Sequence, residues 1–74
     1  MKEKVLEIIN SIRIGKGLEK LTSLSEKDDL RTVISFTSFD LAELTVKIED
    51  EFDIDIFEDG LVNTIGEIYE KLSK

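Results

Sequence analysis

The side chains able to do chemistry in this chain are hydroxyls and carboxylates, because cysteine and histidine are both absent. Thiolate nucleophiles, imidazole bases and the usual zinc ligands are thereby excluded. No paired catalytic arrangement stands out, and an enzyme is not expected. One hydroxyl has a distinctive setting: Ser38, in the run Thr37-Ser38-Phe39-Asp40. The alternating Asp53 and Asp55 of DIDIFEDG suggest calcium, but the match fails. An EF-hand loop needs an oxygen ligand at its fifth position, Gly at its sixth and Glu at its twelfth, where Phe57, Glu58 and Thr64 stand. No metal is expected.

The element that must position Ser38 is the segment that follows it. Leu41, Leu44, Ile48 and Phe52 recur at spacings of three, four and four, which is one face of a helix turned to a core. Asp40, Glu43, Lys47, Asp50 and Glu51 lie on the flanks and the far side, so the outer face reads as acidic. Thr37 fits the N-cap, with Asp40 at capping-box distance in place of the usual Glu or Gln. Ser38 then opens the first turn facing water. Serine is favoured at helix starts for backbone reasons alone, so the bland reading of Ser38 is a solvated helix-start residue.

The remaining segments supply the support. Val5, Ile8, Ile9 and Ile12 predict a first helix ending near Ile14, with Lys2, Glu3, Lys4, Glu7 and Asn10 outward and Gly15 and Gly17 at its end. From Gly15 to Phe36 a long loop is expected, pinned by Leu18, Leu21 and Leu24, with one turn in Ser25 to Leu30 capped by Ser25. Leu30, Val33, Ile34 and Phe36 are expected to be buried. After the main helix, Ile54 and Ile56 put one apolar side inward, and Phe57 to Val62 predicts a short helix weakened by Gly60. The last helix follows a cap at Asn63 or Thr64, with Glu67 at capping-box distance from Thr64 and Ile65, Ile68, Tyr69 and Leu72 as its stripe. Lys71 and Lys74 complement the negative end of its dipole. These elements predict an all-α bundle of three main helices and one short one.

A chain of 74 residues holds one small domain, 1-74, and leaves no room for a separate catalytic domain. An apolar fraction of 41% is enough for a core. The opening MKEKVLEIIN lacks the apolar run of a signal peptide or membrane span, so a cytoplasmic protein without stable membrane insertion is expected. A net charge of −7 argues against nucleic acid and anionic membrane surfaces and favours basic protein partners.

The run Phe36 to Ile56 resembles the phosphopantetheine-attachment region of acyl carrier proteins. The family's usual Asp-Ser-Leu-Asp precedes an acidic helix that ends in acidic residues and Phe; here Thr37-Ser38-Phe39-Asp40 precedes a helix ending Glu49-Asp50-Glu51-Phe52. A second match lies at TIGEIYEKL, and the resemblance covers nearly the whole chain. Four departures set this chain apart. Thr37 replaces the usual Asp and removes a negative charge beside the serine, Phe39 replaces Leu, and Lys47 adds a positive charge to the acidic face. The stretch after DIDI also lacks the common proline and is a residue or two short.

The resemblance implies a small four-helix bundle of acyl-carrier type, with a long first loop, that makes no bond itself. Ser38 would carry 4'-phosphopantetheine as a phosphodiester, installed by a phosphopantetheinyl transferase, and acyl groups would ride on the arm's thiol as thioesters. A helix N-terminus suits an attached anion. Phe39, Asp40, Glu43, Val46, Glu49 and Asp50 would form the docking patch for basic surfaces of acyl-handling enzymes, and a monomer is expected. Val46, Ile56 and Leu61 are candidates to line an acyl pocket, with plain core packing as the competing reading of each. Fatty acid biosynthesis, a dedicated polyketide or nonribosomal peptide pathway, and an unmodified carrier-like interaction domain all remain open.

Overall fold

In a computed structural model the described residues, 1–58 and 60–73, form an all-helical fold with three α-helices and no strand. They are α1 (Lys2–Gly15), α2 (Ser38–Phe52) and α3 (Ile65–Leu72). Lys74 and Asp59 lie outside the described residues, and with Lys74 one of the two charges expected at the end of α3.

α1 buries Val5, Ile8, Ile9 and Ile12, as its periodicity predicts, and packs against α2. Its end is a Schellman closure. Leu18 N–H donates to Arg13 O at 2.9 Å and Gly17 N–H to Ile14 O at 3.0 Å, with Gly17 at φ 81. α2 buries Leu41, Leu44 and Ile48 and ends on Asp53 in the left-handed region, φ 58. α3 contributes Ile65, Ile68 and Tyr69 to the same core.

The stretch between α1 and α2 contains no helix, yet the chain's radius of gyration is 11.1 Å, about that of an ordinary folded chain of this length. Polar side chains hold the loop down. Asn10 is buried, contrary to its expected outward place, and its amide donates to Leu21 O at 2.9 Å while accepting from Leu21 N–H at 2.8 Å. Arg13 is also buried; its Nε donates to Glu19 O at 3.0 Å and Nη1 to Ile34 O at 2.6 Å. Buried polar groups need such partners, and here the backbone of the loop provides them.

The expected turn at Ser25 forms, with Asp28 N–H donating to Ser25 O at 3.0 Å and Ser25 N–H to Asp28 Oδ2 at 2.9 Å. Beyond it the loop runs antiparallel to the start of α3: Leu30 N–H donates to Asn63 O at 2.8 Å, Ile65 N–H to Asp28 O at 3.0 Å and Gly66 N–H to Glu26 O at 3.0 Å. Leu30, Ile34 and Phe36 are buried, but Val33 is 53% exposed. The turn that buries Leu30 and Ile34, closed by bonds from Val33 and Ile34 N–H to Asp29 O, leaves the three residues between them, Arg31, Thr32 and Val33, outward.

The short helix expected from Phe57 to Val62 is absent among the described residues. Glu58 N–H donates to Asp55 O and Gly60 N–H to Phe57 O, both i to i−3 turn bonds, and Gly60 at φ 129 is outside helical space. Phe57 N–H goes to the Asp55 carboxylate at 2.9 Å, an Asx turn that competes with a helix start.

Candidate functional site

The start of α2 is fixed from both sides. Thr37 sits in extended backbone as N-cap; its Oγ1 accepts from Asp40 N–H at 3.3 Å, while Asp40 Oδ2 accepts from Thr37 N–H at 2.8 Å. This is the reciprocal capping box that the spacing predicts. Asp40 itself is only 5% exposed, which corrects its expected place on the outer face and in a docking patch. Lys16, at the end of α1, donates to Asp40 Oδ2 at 2.5 Å and to Ser35 O at 2.8 Å. Burial pushes the Asp40 carboxyl up, and the bonds from Lys16 and Thr37 outweigh it, leaving the group below its ordinary value.

Ser38, the next residue, is exposed. Arg31 reaches it from the loop, with Nη2 donating to Ser38 Oγ at 3.4 Å. Sequence reading missed Arg31, since seven residues and a turn separate it from the serine and no local pattern links them. From Ser38 an open groove of about 480 Å³ runs along α2, lined by Leu41, Ala42, Thr45, Phe57 and Leu61, with Arg31 and Asp55 as its charged members. Thr45 turns its hydroxyl back to Leu41 O, donating at 2.8 Å. Leu61, the residue expected in a pocket, is on this wall and 80% exposed. Ile56 and Val46 are not. Ile56 is fully buried in the core, where it packs as structure, and Val46 lies on the solvent face.

The solvent face of α2 combines exposed apolar and acidic residues. Phe39, at 79% exposure, and Val46 are seven residues apart and so share a row, with Glu43 and Asp50 beside them. Glu49 is exposed on the groove side, eleven residues on from Ser38, about three turns. Lys47 is half-buried in a cleft shared with Lys4, Glu7, Asp50 and Glu51, so its charge faces α1 as well as solvent.

A cleft of about 510 Å³ lies between α1, the Glu26–Lys27 turn and α3, lined by Lys2, Glu67, Tyr69 and Glu70. Its charges are of mixed sign, and Lys2 covers the Tyr69 ring at 5.1 Å. Slightly larger than the groove at Ser38, it too holds an exposed hydroxyl, that of Ser73, but this one donates to Tyr69 O at 2.8 Å at the end of α3. Among the described residues no group of His, Cys, Asp or Glu is arranged to hold a metal, and no helix is long and apolar enough to cross a membrane. Comparison with family models, with curated proteins and with solved structures gave no match to this chain.

Proposed function

We propose that the chain is an acyl carrier protein, with 4'-phosphopantetheine on Ser38 and acyl groups carried as thioesters on the thiol of that arm. The observation that carries the reading is the junction at the start of α2. An exposed serine hydroxyl sits on a helix start held by Thr37 and Asp40, and it opens onto an apolar groove. A transferase can reach such a hydroxyl, and the groove gives the arm or a short acyl chain a surface to lie on. Attachment breaks the pyrophosphate bond of coenzyme A and releases adenosine 3',5'-bisphosphate; the serine proton is lost as its oxygen joins phosphorus.

The protein's own part is transport and presentation. Phe39, Glu43, Val46, Glu49 and Asp50 are the docking residues in this reading, offering apolar contact and negative charge to basic patches on phosphopantetheinyl transferase and acyl-handling enzymes. Contacts of this kind are charge-steered and brief, as a carrier requires. A cytoplasmic monomer is the setting, and the four-helix carrier bundle is the fold of the reading, with turns at 55–58 and at Gly60 among the described residues where the family has its short helix.

A dedicated pathway is favoured over bulk fatty acid synthesis by Thr37, Phe39 and the charged members of the groove. The test is incubation with coenzyme A and a broad-specificity phosphopantetheinyl transferase, followed by intact mass. One added phosphopantetheine is expected, and none on Ser38→Ala. An unchanged mass, where an ordinary carrier is fully modified, would leave an unmodified interaction domain as the better reading.

A further inference from the structure

Resting on that reading of Ser38, we infer that Arg31 is the anion partner of the arm. Its guanidinium pairs with the two non-bridging oxygens of the phosphodiester and so sets the direction in which the arm leaves the protein.

The backbone under Arg31 is anchored. Asp29 Oδ1 accepts from Arg31 N–H at 2.8 Å and from Thr32 N–H at 2.9 Å. Next to it Leu30 is fully buried, its N–H on Asn63 O and its carbonyl accepting from Phe36 N–H. The side chain therefore springs from a fixed turn, and it reaches the hydroxyl that would become the ester oxygen. That bond, at 3.4 Å, is long. It engages one N–H of a group with five.

Among the described residues no carboxylate is ion-paired with Arg31, and Asp55, the other charged member of the groove, accepts from Phe57 N–H at 2.9 Å through Oδ1. Lys4 pairs with Glu7 and Lys16 with Asp40, and Arg31 is in neither pair. Asp40, two residues from Ser38, is buried and committed to Lys16 and Thr37. Thr37, on the other side, is uncharged. Asp29 feels the charge of Arg31, but its Oδ1 already holds two backbone N–H groups, which with that charge keep the carboxyl below its ordinary value. In a chain of net charge −7, a guanidinium beside the one serine at the start of α2 is set against the general field. Its planar fork matches two phosphate oxygens at once, where a lysine would offer a point charge.

The test uses the full chain, loaded from coenzyme A, as wild type, Arg31→Lys and Arg31→Gln, with intact mass read for each. The ³¹P line of the phosphodiester and the Nε–H resonance of Arg31 are then recorded at low salt and at about 0.5 M salt, where exposed pairs are screened. The expected result is an arm on all three proteins and a wild-type ³¹P line displaced from that of Arg31→Gln, moving towards it as salt is raised. Arg31→Lys falls between, and the Arg31 Nε–H shifts on loading. Loaded proteins with coincident ³¹P lines at low salt overturn the pairing and leave the carrier reading standing. No added mass on any of the three overturns both. A ³¹P line that titrates near pH 6 identifies a phosphomonoester on serine and likewise overturns the arm as the partner of Arg31.

Discussion

Lys16 Nζ and Asp40 Oδ2, from the end of α1 and the first turn of α2, meet at 2.5 Å. The pair joins two helices through the residue that also completes the cap of the second, so the exposed Ser38 rests on a junction that is itself buried. Asp40→Asn is expected to cost about 2 kcal/mol at pH 7, from a cap and a charged hydrogen bond together. The folded carboxyl lies below its ordinary value, so its contribution is present above the unfolded value of about 3.9 and is lost as pH falls through the folded one. Urea unfolding at pH 7 and pH 3 checks this. The gap between wild type and Asp40→Asn should narrow at pH 3.

Asn10 is the main polar anchor of the loop's first half. Asn10→Ala leaves the Leu21 N–H and C=O without their side-chain partner, at an expected cost of about 1–3 kcal/mol. Hydrogen exchange should show faster exchange at Leu21 than in wild type, with α2 little changed.

The two glycines in helices should respond in opposite ways to alanine. Gly15 has open space where a Cβ would stand, whereas at Gly66 a Cβ would come 3.0 Å from Glu26 O and 3.2 Å from Glu26 Cβ. Gly15→Ala is expected to gain up to about 1 kcal/mol from helix propensity. Gly66→Ala is expected to lose that gain to the displaced Glu26 backbone. Thermal unfolding of the two variants decides it, and a raised Tm for Gly66→Ala would show that the Glu26 turn yields freely.

Thr37→Asp restores the negative charge usual in the carrier family while keeping a residue able to cap α2. Under the carrier reading, an ordinary transferase is expected to load this variant faster than wild type, at some cost in stability, because Thr37 Oγ1 also donates to Asp40 Oδ2 at 3.0 Å and a carboxylate there would face that of Asp40. Equal initial rates, measured by mass over time, would show that the enzyme does not read this position.

Reversing Glu43 and Glu49 to Lys leaves the core untouched, since both are exposed. Transferase binding is expected to weaken at low salt and to converge with wild type at high salt. Identical affinities at low salt would remove charge from the docking argument.

The main architecture was legible because it follows local periodicity: the stripes of α1, α2 and α3, the Thr37 cap and the Thr64 cap all stand where their spacing puts them. What stayed hidden was polar and long-range. Asn10, Arg13 and Asp40 look like outward residues on a helical wheel, and only partners 11, 21 and 24 residues away explain their burial. Arg31 was hidden for the same reason. The segment after α2 was misread because apolar Phe57 and Leu61 sit at helical spacing, while the Asx turn at Asp55 and the backbone at Gly60 decide its path. Of the residues that line the groove beside Ser38, Leu61 stands out in the sequence while Ala42 and Thr45 do not, since their small side chains leave no apolar signal.

The three backbone bonds from 26–30 to 63–66 also bear on how the chain can be divided. They make α3 the clamp of a loop that lies far ahead of it in sequence. A fragment ending after Phe52 would keep both large helices but release Leu30 and the turn at Asp29, and with them the seat of Arg31. Adding residues 63–73 back as a separate peptide should restore that turn, because this piece carries Asn63 and the Thr64 cap with α3 and so supplies the missing edge as well as missing apolar surface. The smallest piece that can hold the serine in its setting is therefore close to the whole chain.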